Sequence, residues 1–368
     1  MAAVVDWAIL KVVQPCNLNC DYCYVYNRGD SSWRSRPALM TDEVLDAFCV
    51  RMREQVQAHG LPSFHVEFHG GEPLLIGRDR FARFCQRIRA AAPCHVHFHL
   101  QTNAVLLDEA WLQVFDQYDV SFGVSLDGPP DVHDAHRRDH AGRGSGERVI
   151  RNLQRLSRDP AFSRLFGGVL AVLTSPVPDG ATLCRWFVNN GIRSFDFLMP
   201  DGNWANLPAG WNGNGEFVRF WTEVYETWKA YGDDAPNIRT LETMIRGVAG
   251  LRPTLDAHGA DLRSMVVVES DGAIGVSDVG RICPPLNNDI HNVLLDPLSR
   301  HQVREDVAQL QSLCDTCKAC SYVVPCGGGY LPHRYNGADF RSPSLYCETW
   351  AALIQSIADD IGAELLAV

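Results

Sequence analysis

Between residues 7 and 230 the chain alternates short strand-like runs with longer helical ones, and nothing else in the sequence constrains the fold as much. The pattern predicts strands at 7–13, 63–69, 94–101, 119–126, 168–174 and 193–199. It predicts helices between them at 41–58, 78–92, 107–117, 146–158 and 179–189. Thr41, followed by Asp42 and Glu43, offers the first helix an N-cap and an acidic first turn. Strands that alternate with helices pair in parallel through right-handed crossovers. The expected fold is therefore α/β, a partial (β/α)6 TIM-like barrel that is open rather than closed by eight units.

The phase of the strands adds a second constraint, because successive strand residues point to opposite faces. Val66, Phe68, Val96, Phe98 and Leu100 share the face that packs under helices. His65, Glu67, His69, His97, His99 and Gln101 share the other, continued by Ser121, Gly123 and Ser125 and later by Ser194 and Asp196. A packed barrel interior favours branched apolar residues, so a polar interior implies a cavity for a polar ligand. A metal site on His95, His97 and His99 is the lesser alternative, since same-face neighbours on a strand stand roughly 6.6 Å apart.

After a Gly/Asn/Trp-rich stretch at 201–215, a helix is expected at 215–231 and a hairpin at 264–276 that turns at Asp271-Gly272. The stretch up to residue 350 is loop-rich and cysteine-rich, and a final helix is expected at 348–365. The expected division is a barrel over 1–235, a bridging region over 236–262, a metal-held domain over 263–350 and a C-terminal helix over 351–368. Trp221 and Trp228, seven residues apart, read as core packing rather than a peptide surface.

A net charge of −11 argues against broad nucleic-acid binding or an anionic membrane surface. No run approaches the roughly 20 apolar residues of a membrane span, and the first residues lack the basic start of a signal peptide. A cytoplasmic protein is expected, and there thirteen cysteines point to metal rather than disulfides. Cys49, Cys85, Cys94, Cys184 and Cys283 are scattered, and burial as small apolar residues is expected for most of them.

Cys16, Cys20 and Cys23 stand in Gln14-Pro15-Cys16-Asn17-Leu18-Asn19-Cys20-Asp21-Tyr22-Cys23-Tyr24, directly after the first strand. Parallel β/α folds collect ligand-binding groups at that strand end. Three thiolates on a four-iron cubane leave one iron open, whereas structural zinc wants a fourth local ligand. The spacing therefore favours a catalytic cluster.

C-x3-C-x2-C with an aromatic residue before the last cysteine resembles the signature of the radical S-adenosylmethionine (SAM) superfamily. The resemblance implies that the open iron of a [4Fe–4S] cluster binds SAM and cleaves it to a 5′-deoxyadenosyl radical. Gly70-Gly71-Glu72-Pro73 resembles the GGEP motif that holds the SAM amino group. Thr102-Asn103 and Ser125-Leu126-Asp127-Gly128 resemble strand ends near the ribose and methionine, with Ser125 the expected ribose contact. Asp127 either caps a turn or touches ligand, and Arg137 resembles a further family position.

Cys317, Cys320, Cys326 and Cys347 complete either a zinc site or a second cubane on spacing alone. They resemble a SPASM domain, which carries auxiliary [4Fe–4S] clusters. Ser277 and Tyr330 stand where that domain has further cysteines, so one auxiliary cluster is expected, with Cys314 and Cys283 spare. Asp278 occupies the place of a proposed general base, or else caps a loop.

Cys326-Gly327-Gly328-Gly329-Tyr330, His333-Arg334-Tyr335 and Pro343-Ser344 resemble the branch that forms cyclophane crosslinks in ribosomally made peptides. That implies β-hydrogen abstraction, addition to an aromatic ring, electron exit through the auxiliary cluster and proton removal by Asp278. The implied partners are a precursor peptide and a reductant such as flavodoxin or ferredoxin, with no nucleic acid and no membrane. With its first strand near residue 7, no N-terminal peptide-recognition domain is expected. Formylglycine formation, thioether bridging and epimerisation are the neighbouring alternatives. A non-catalytic zinc or iron–sulfur binding protein is the alternative of another class.

Overall fold

Strand β1 (Trp7–Val13) is buried along nearly its whole length, as a strand covered on both faces must be. Strands β2 (Ser63–Gly70) and β3 (His95–Thr102) bury every second residue, which places Val66, Phe68, Val96, Phe98 and Leu100 on the apolar face as expected. Strand β4 (Val120–Ser125) continues the parallel array: Trp7 lies opposite His65, His65 opposite His97, and His99 opposite Ser121. The helices Asp42–His59, Arg78–Ala91 and Glu109–Tyr118 connect these strands. The Thr41 hydroxyl accepts from the Val44 N–H at 3.2 Å, which is the N-cap expected there.

The computed structural model describes residues 3–251, 255–286 and 291–366. The chain forms two compact units, one of residues 1–126, 133–167 and 262–308, the other of 127–132, 168–261 and 309–368. In the first unit the strand order is β10-β9-β8-β1-β2-β3-β4. Here β8 (Met265–Val268) pairs in parallel with β1, β9 (Ala273–Gly275) turns back antiparallel, and β10 (His291–Asn292) adds an antiparallel edge. Gly272, at φ +87°, sits at the hairpin turn where the sequence placed it.

In the second unit β5 (Phe166–Val172, from Gly168 onward), β6 (Ser194–Leu198) and β7 (Asn237–Ile238) pair in parallel. The helices Gly180–Asn189, Gly215–Ala230, Arg239–Val248 and Cys347–Leu366 surround them. Trp221 is a core residue, 1 % exposed and 5.6 Å from the Trp350 ring.

The compact units cut across the expected boundaries. The hairpin at 264–276, expected in a separate metal-held domain, extends the sheet of the first unit beyond β1. The expected bridging region contains the helix Arg239–Val248, and its residues 252–254 lie outside the described residues. The expected α/β class with its parallel sheet is what the chain adopts. Among the described residues no helix is long and apolar enough to cross a membrane.

The polar face of β2 and β3 is filled by rings at its N-terminal end. Trp7 stacks on His65 at 4.5 Å and on His99 at 4.9 Å, and His65 stacks on His97 at 4.6 Å. His65 Nδ1 lies 3.0 Å from His99 Nε2, and His99 Nδ1 lies 2.7 Å from the Ser121 hydroxyl. Burial, then the neighbouring imidazoles, push His99 down to about 4, so that ring is neutral. Among the described residues no three His, Cys, Asp or Glu side chains converge on a single-ion site.

Candidate active site

Beyond Val13 the chain leaves β1 through Gln14 and Pro15 into the three-cysteine loop. Two amides from the end of β2 hold this exit: Gly71 N–H donates to Val13 O at 2.8 Å and Glu72 N–H to Pro15 O at 3.1 Å. The approach requires glycine. A Cβ on Gly70 would stand 2.1 Å from Val13 O, and one on Gly71 would stand 2.2 Å from Pro15 O and 2.1 Å from the Tyr26 hydroxyl. From the other side, residues 136–140 clamp the loop. Asn19 N–H donates to Arg138 O at 2.7 Å, His140 Nε2 lies 2.9 Å from Cys16 O, and His136 Nδ1 lies 2.9 Å from Asp21.

All three sulfurs face hydrogen-bond donors. Leu18 N–H donates to Cys16 Sγ at 3.4 Å, and Asn103 Nδ2 lies 3.7 Å from the same sulfur. Arg137 NH1 lies 4.0 Å from Cys20 Sγ, and the amides of Val25 and Tyr26 act on Cys23. Burial, then the Glu72 charge, push the Cys16 thiol up to about 12, so its thiolate needs a bound cation to form. Donors around three sulfurs suit an iron–sulfur cluster, whose cysteines also accept such bonds. A cubane distributes its ligands over separate irons, so its cysteines need not converge on one point.

Glu72 is the hub behind this loop. Its Oε1 accepts from the Thr102 hydroxyl at 2.7 Å and from Leu74 N–H at 3.1 Å, and its Oε2 accepts from Asn103 N–H at 2.8 Å. Three donors leave about one lone pair of the carboxylate open. Burial outweighs these bonds and pushes the carboxyl up to about 7. Pro73 opens the short helix Pro73–Ile76 that Glu72 caps. Asn103 also donates to Asn17 Oδ1 at 2.8 Å, which ties the end of β3 to the cysteine loop.

The remaining expected contacts fall in both units. Ser125 ends β4 and accepts from Gln101 Nε2 at 2.9 Å. Tyr22 lies under the Arg137 guanidinium at 5.4 Å, and Arg137 is 8 % exposed, so two residues singled out separately meet at the cysteine loop. Asp127 belongs to the second unit, where it accepts from Val172 N–H at 3.0 Å.

Asp278 lies in the first unit inside a nearly buried ionic group. It pairs with Lys11 and with the Tyr24 hydroxyl, and its Oδ2 stands 3.6 Å from His69 Nδ1. Lys11 Nζ also lies 2.9 Å from His69 Nδ1. Burial would raise the Asp278 carboxyl, but the charges of Lys11 and Arg281 outweigh it and hold it far below the carboxylate range. Burial, then Lys11, push His69 down to about 4. Arg281 extends the group to Asp30 at 3.1 Å and to Glu269, and Gln14 donates to Glu269 at 2.9 Å. Tyr24 follows Cys23 directly, so this group adjoins the cysteine loop.

The second unit holds Cys314, Cys317, Cys320, Cys326 and Cys347 as one electrostatic group. Tyr322 N–H donates to Cys320 Sγ at 3.4 Å, and the amides of Gly328 and Gly329 act on Cys326. Gly327, Gly328 and Gly329 all have positive φ, at 61°, 86° and 72°, the turn that aims those amides at the sulfur. Arg334, 2 % exposed, faces Cys317, Cys314 and Cys326. Thiols surrounded by amides and a buried cation suit an anionic cluster. Cys283 is fully buried in the first unit, and burial raises the scattered Cys49, Cys85 and Cys184 thiols, in keeping with an apolar role.

Sequence reasoning placed His69 on the polar face without a partner, and it missed Lys11, Tyr24, Arg281, His136 and His140. Lys11 carried the one readable signal, a lone charge within the apolar run WAILKVV.

Residues 10–159 match the sequence profile of the radical SAM superfamily. A cysteine-type anaerobic sulfatase-maturating enzyme of Clostridium perfringens (strain 13 / Type A) is 23 % identical over 353 residues, 91 % of each chain. A serine-type anaerobic sulfatase-maturating enzyme of Klebsiella pneumoniae is 26 % identical over 88 % of this chain and 81 % of that one. The solved structure titled native anSMEcpe with bound AdoMet and Cp18Cys peptide superposes with TM-score 0.81 at 20 % identity, covering 96 % of this chain and 99 % of that one. Streptococcus suis SuiB bound to precursor peptide SuiA superposes with TM-score 0.64 at 14 % identity, covering 94 % and 76 %. These two share the fold. Residues 10–159 form a radical SAM domain, and the chain that carries it is a radical SAM enzyme working with SAM and [4Fe–4S] clusters.

Proposed function

We propose that this enzyme oxidises a side chain of a ribosomally made peptide and joins it to an aromatic ring carbon, forming a cyclophane-type crosslink. One observation carries the reading. The chain joins a three-thiol loop and GGEP turn to a single further thiol group, while Ser277 and Tyr330 stand where a second auxiliary cluster would need cysteines. Support for a peptide substrate comes from the relatives, which include sulfatase-maturating enzymes and a structure with a bound peptide.

When bound on Cys16, Cys20 and Cys23, the cluster and SAM supply hydrogen-atom abstraction from carbon. Glu72 offers its open lone pair to the SAM ammonium, held in place by Thr102 and Asn103. Gly70 and Gly71 let the backbone approach, and Ser125 is the ribose contact. Arg137, stacked over Tyr22, balances charge at the cysteine loop. Cys317, Cys320, Cys326 and Cys347 would hold one auxiliary cluster, which supplies one-electron acceptance. A flavodoxin- or ferredoxin-type protein serves as reductant. Asp278, kept ionised by Lys11, accepts the ring proton, and the neutral His69 beside it admits that proton without a second positive charge.

Formylglycine formation is the second reading, favoured by the near full-length likeness to sulfatase-maturating enzymes. Co-expression with a small peptide gene found beside the enzyme's own separates the readings. Loss of two hydrogens, with fragmentation suppressed between two joined residues, is the expected result. A hydrazide-reactive aldehyde on Ser or Cys would replace crosslinking with formylglycine formation. A peptide of unchanged mass and sequence would overturn both.

A further inference from the structure

Arg334 is 2 % exposed and is anchored by main-chain carbonyls: NH1 donates to Gln311 O at 3.1 Å, and NH2 to Phe340 O at 2.9 Å and to Ser312 O. Among the described residues its Nε–H has no hydrogen-bond partner. Among the described residues no carboxylate pairs with it. The groups of opposite charge that act on it are Cys317 first, then Cys314 and Cys326. A buried guanidinium without a counter-ion is costly. As neutral thiols these cysteines leave that cost in place, and as thiolates around a cluster they relieve it.

We infer that Arg334 is the counter-charge of the auxiliary cluster and sets its reduction potential. This rests on the reading of Cys317, Cys320, Cys326 and Cys347 as cluster ligands. Cluster potentials respond to net charge and to hydrogen bonds at sulfur. A fixed cation favours the more negative, reduced state, so Arg334 raises the potential and makes the cluster a better acceptor of the electron that substrate oxidation releases. Three carbonyl anchors hold the charge in place, so the effect does not depend on a mobile side chain. Arg334 touches no reacting atom; it is a positioning residue acting through the cluster.

The test uses the full chain with Cys16, Cys20 and Cys23 changed to Ala, so that any cluster signal comes from the auxiliary site. Arg334→Gln and Arg334→Lys are placed on this background, reconstituted anaerobically, and compared by iron and sulfide content and by an EPR-monitored redox titration. The expected result is an unchanged cluster spectrum with a clearly lower potential in Arg334→Gln and a potential close to the parent's in Arg334→Lys. Loss of iron in Arg334→Gln with retention in Arg334→Lys also supports the inference, because charge alone then rescues the site. Equal loss in both variants overturns it in favour of a packing role. An unchanged potential in an iron-loaded Arg334→Gln overturns it while leaving the auxiliary cluster in place. A parent that binds no iron overturns the ligand reading and the inference together.

Discussion

Glu72 carries two demands on one carboxylate: it braces Thr102 and Asn103 behind the cysteine loop, and it is the proposed seat of the SAM ammonium. Its carboxyl, pushed up to about 7 by burial, gives this a pH signature. Above that value Glu72 is ionised and accepts from the ammonium; below it the proton must leave before SAM binds. SAM affinity should therefore weaken as pH falls through neutrality, by about tenfold per unit on the acid side. Anaerobic equilibrium binding between pH 6 and 8 checks this, and Glu72→Gln should flatten the profile while weakening binding throughout. Lys11 and Asp278 are coupled more tightly. Removing one partner of a buried pair costs roughly 3 kcal/mol, so Lys11→Met and Asp278→Asn should each destabilise the fold in urea titrations. The double variant should be less damaged than the sum, with a coupling above about 1 kcal/mol. Additive losses would dissolve the pair. Asp278→Asn should also keep SAM cleavage while losing peptide product, as measured by 5′-deoxyadenosine release beside peptide mass.

At the scale of elements, the strands were legible because burial alternates with period two in β2 and β3, and the Thr41 cap because its chemistry is local. The cysteine loop and the GGEP turn were legible as motifs. What could not be read was pairing at a distance. Nothing in Met265–Val268 announces that it lies parallel to β1, since an apolar run of four residues fits many neighbours. The same holds for Tyr24 and Asp278, 254 residues apart, and for Arg281 and Asp30. Lys11 was visible yet silent, because its partners come from β2 and from the segment after β9. The Gly70-Gly71 turn makes the element-scale prediction. Gly71→Ala drives a methyl into Pro15 O and the Tyr26 hydroxyl. It should dislodge the first cysteine loop and lose about half the protein's iron, leaving the share bound by the other unit. Iron assay after reconstitution checks this, and full iron retention would contradict the close-approach argument.

At the scale of the molecule, each unit brings its own thiol group: Cys16, Cys20 and Cys23 in the first, Cys314 to Cys347 in the second. The two should load independently. Changing Cys317 and Cys320 to Ala should remove the second share of iron and leave SAM cleavage intact, read as 5′-deoxyadenosine formed per enzyme under dithionite. Loss of cleavage in that variant would tie the units together more closely than their separate thiol groups imply. The central claim is the open site on the first loop, and SAM cleavage measures it most directly. Reconstituted enzyme under anaerobic reduction should convert SAM to methionine and 5′-deoxyadenosine, and the Cys16→Ala, Cys20→Ala, Cys23→Ala protein should form neither. An iron-loaded enzyme that leaves SAM intact, or a triple variant that cleaves it equally well, would contradict the account.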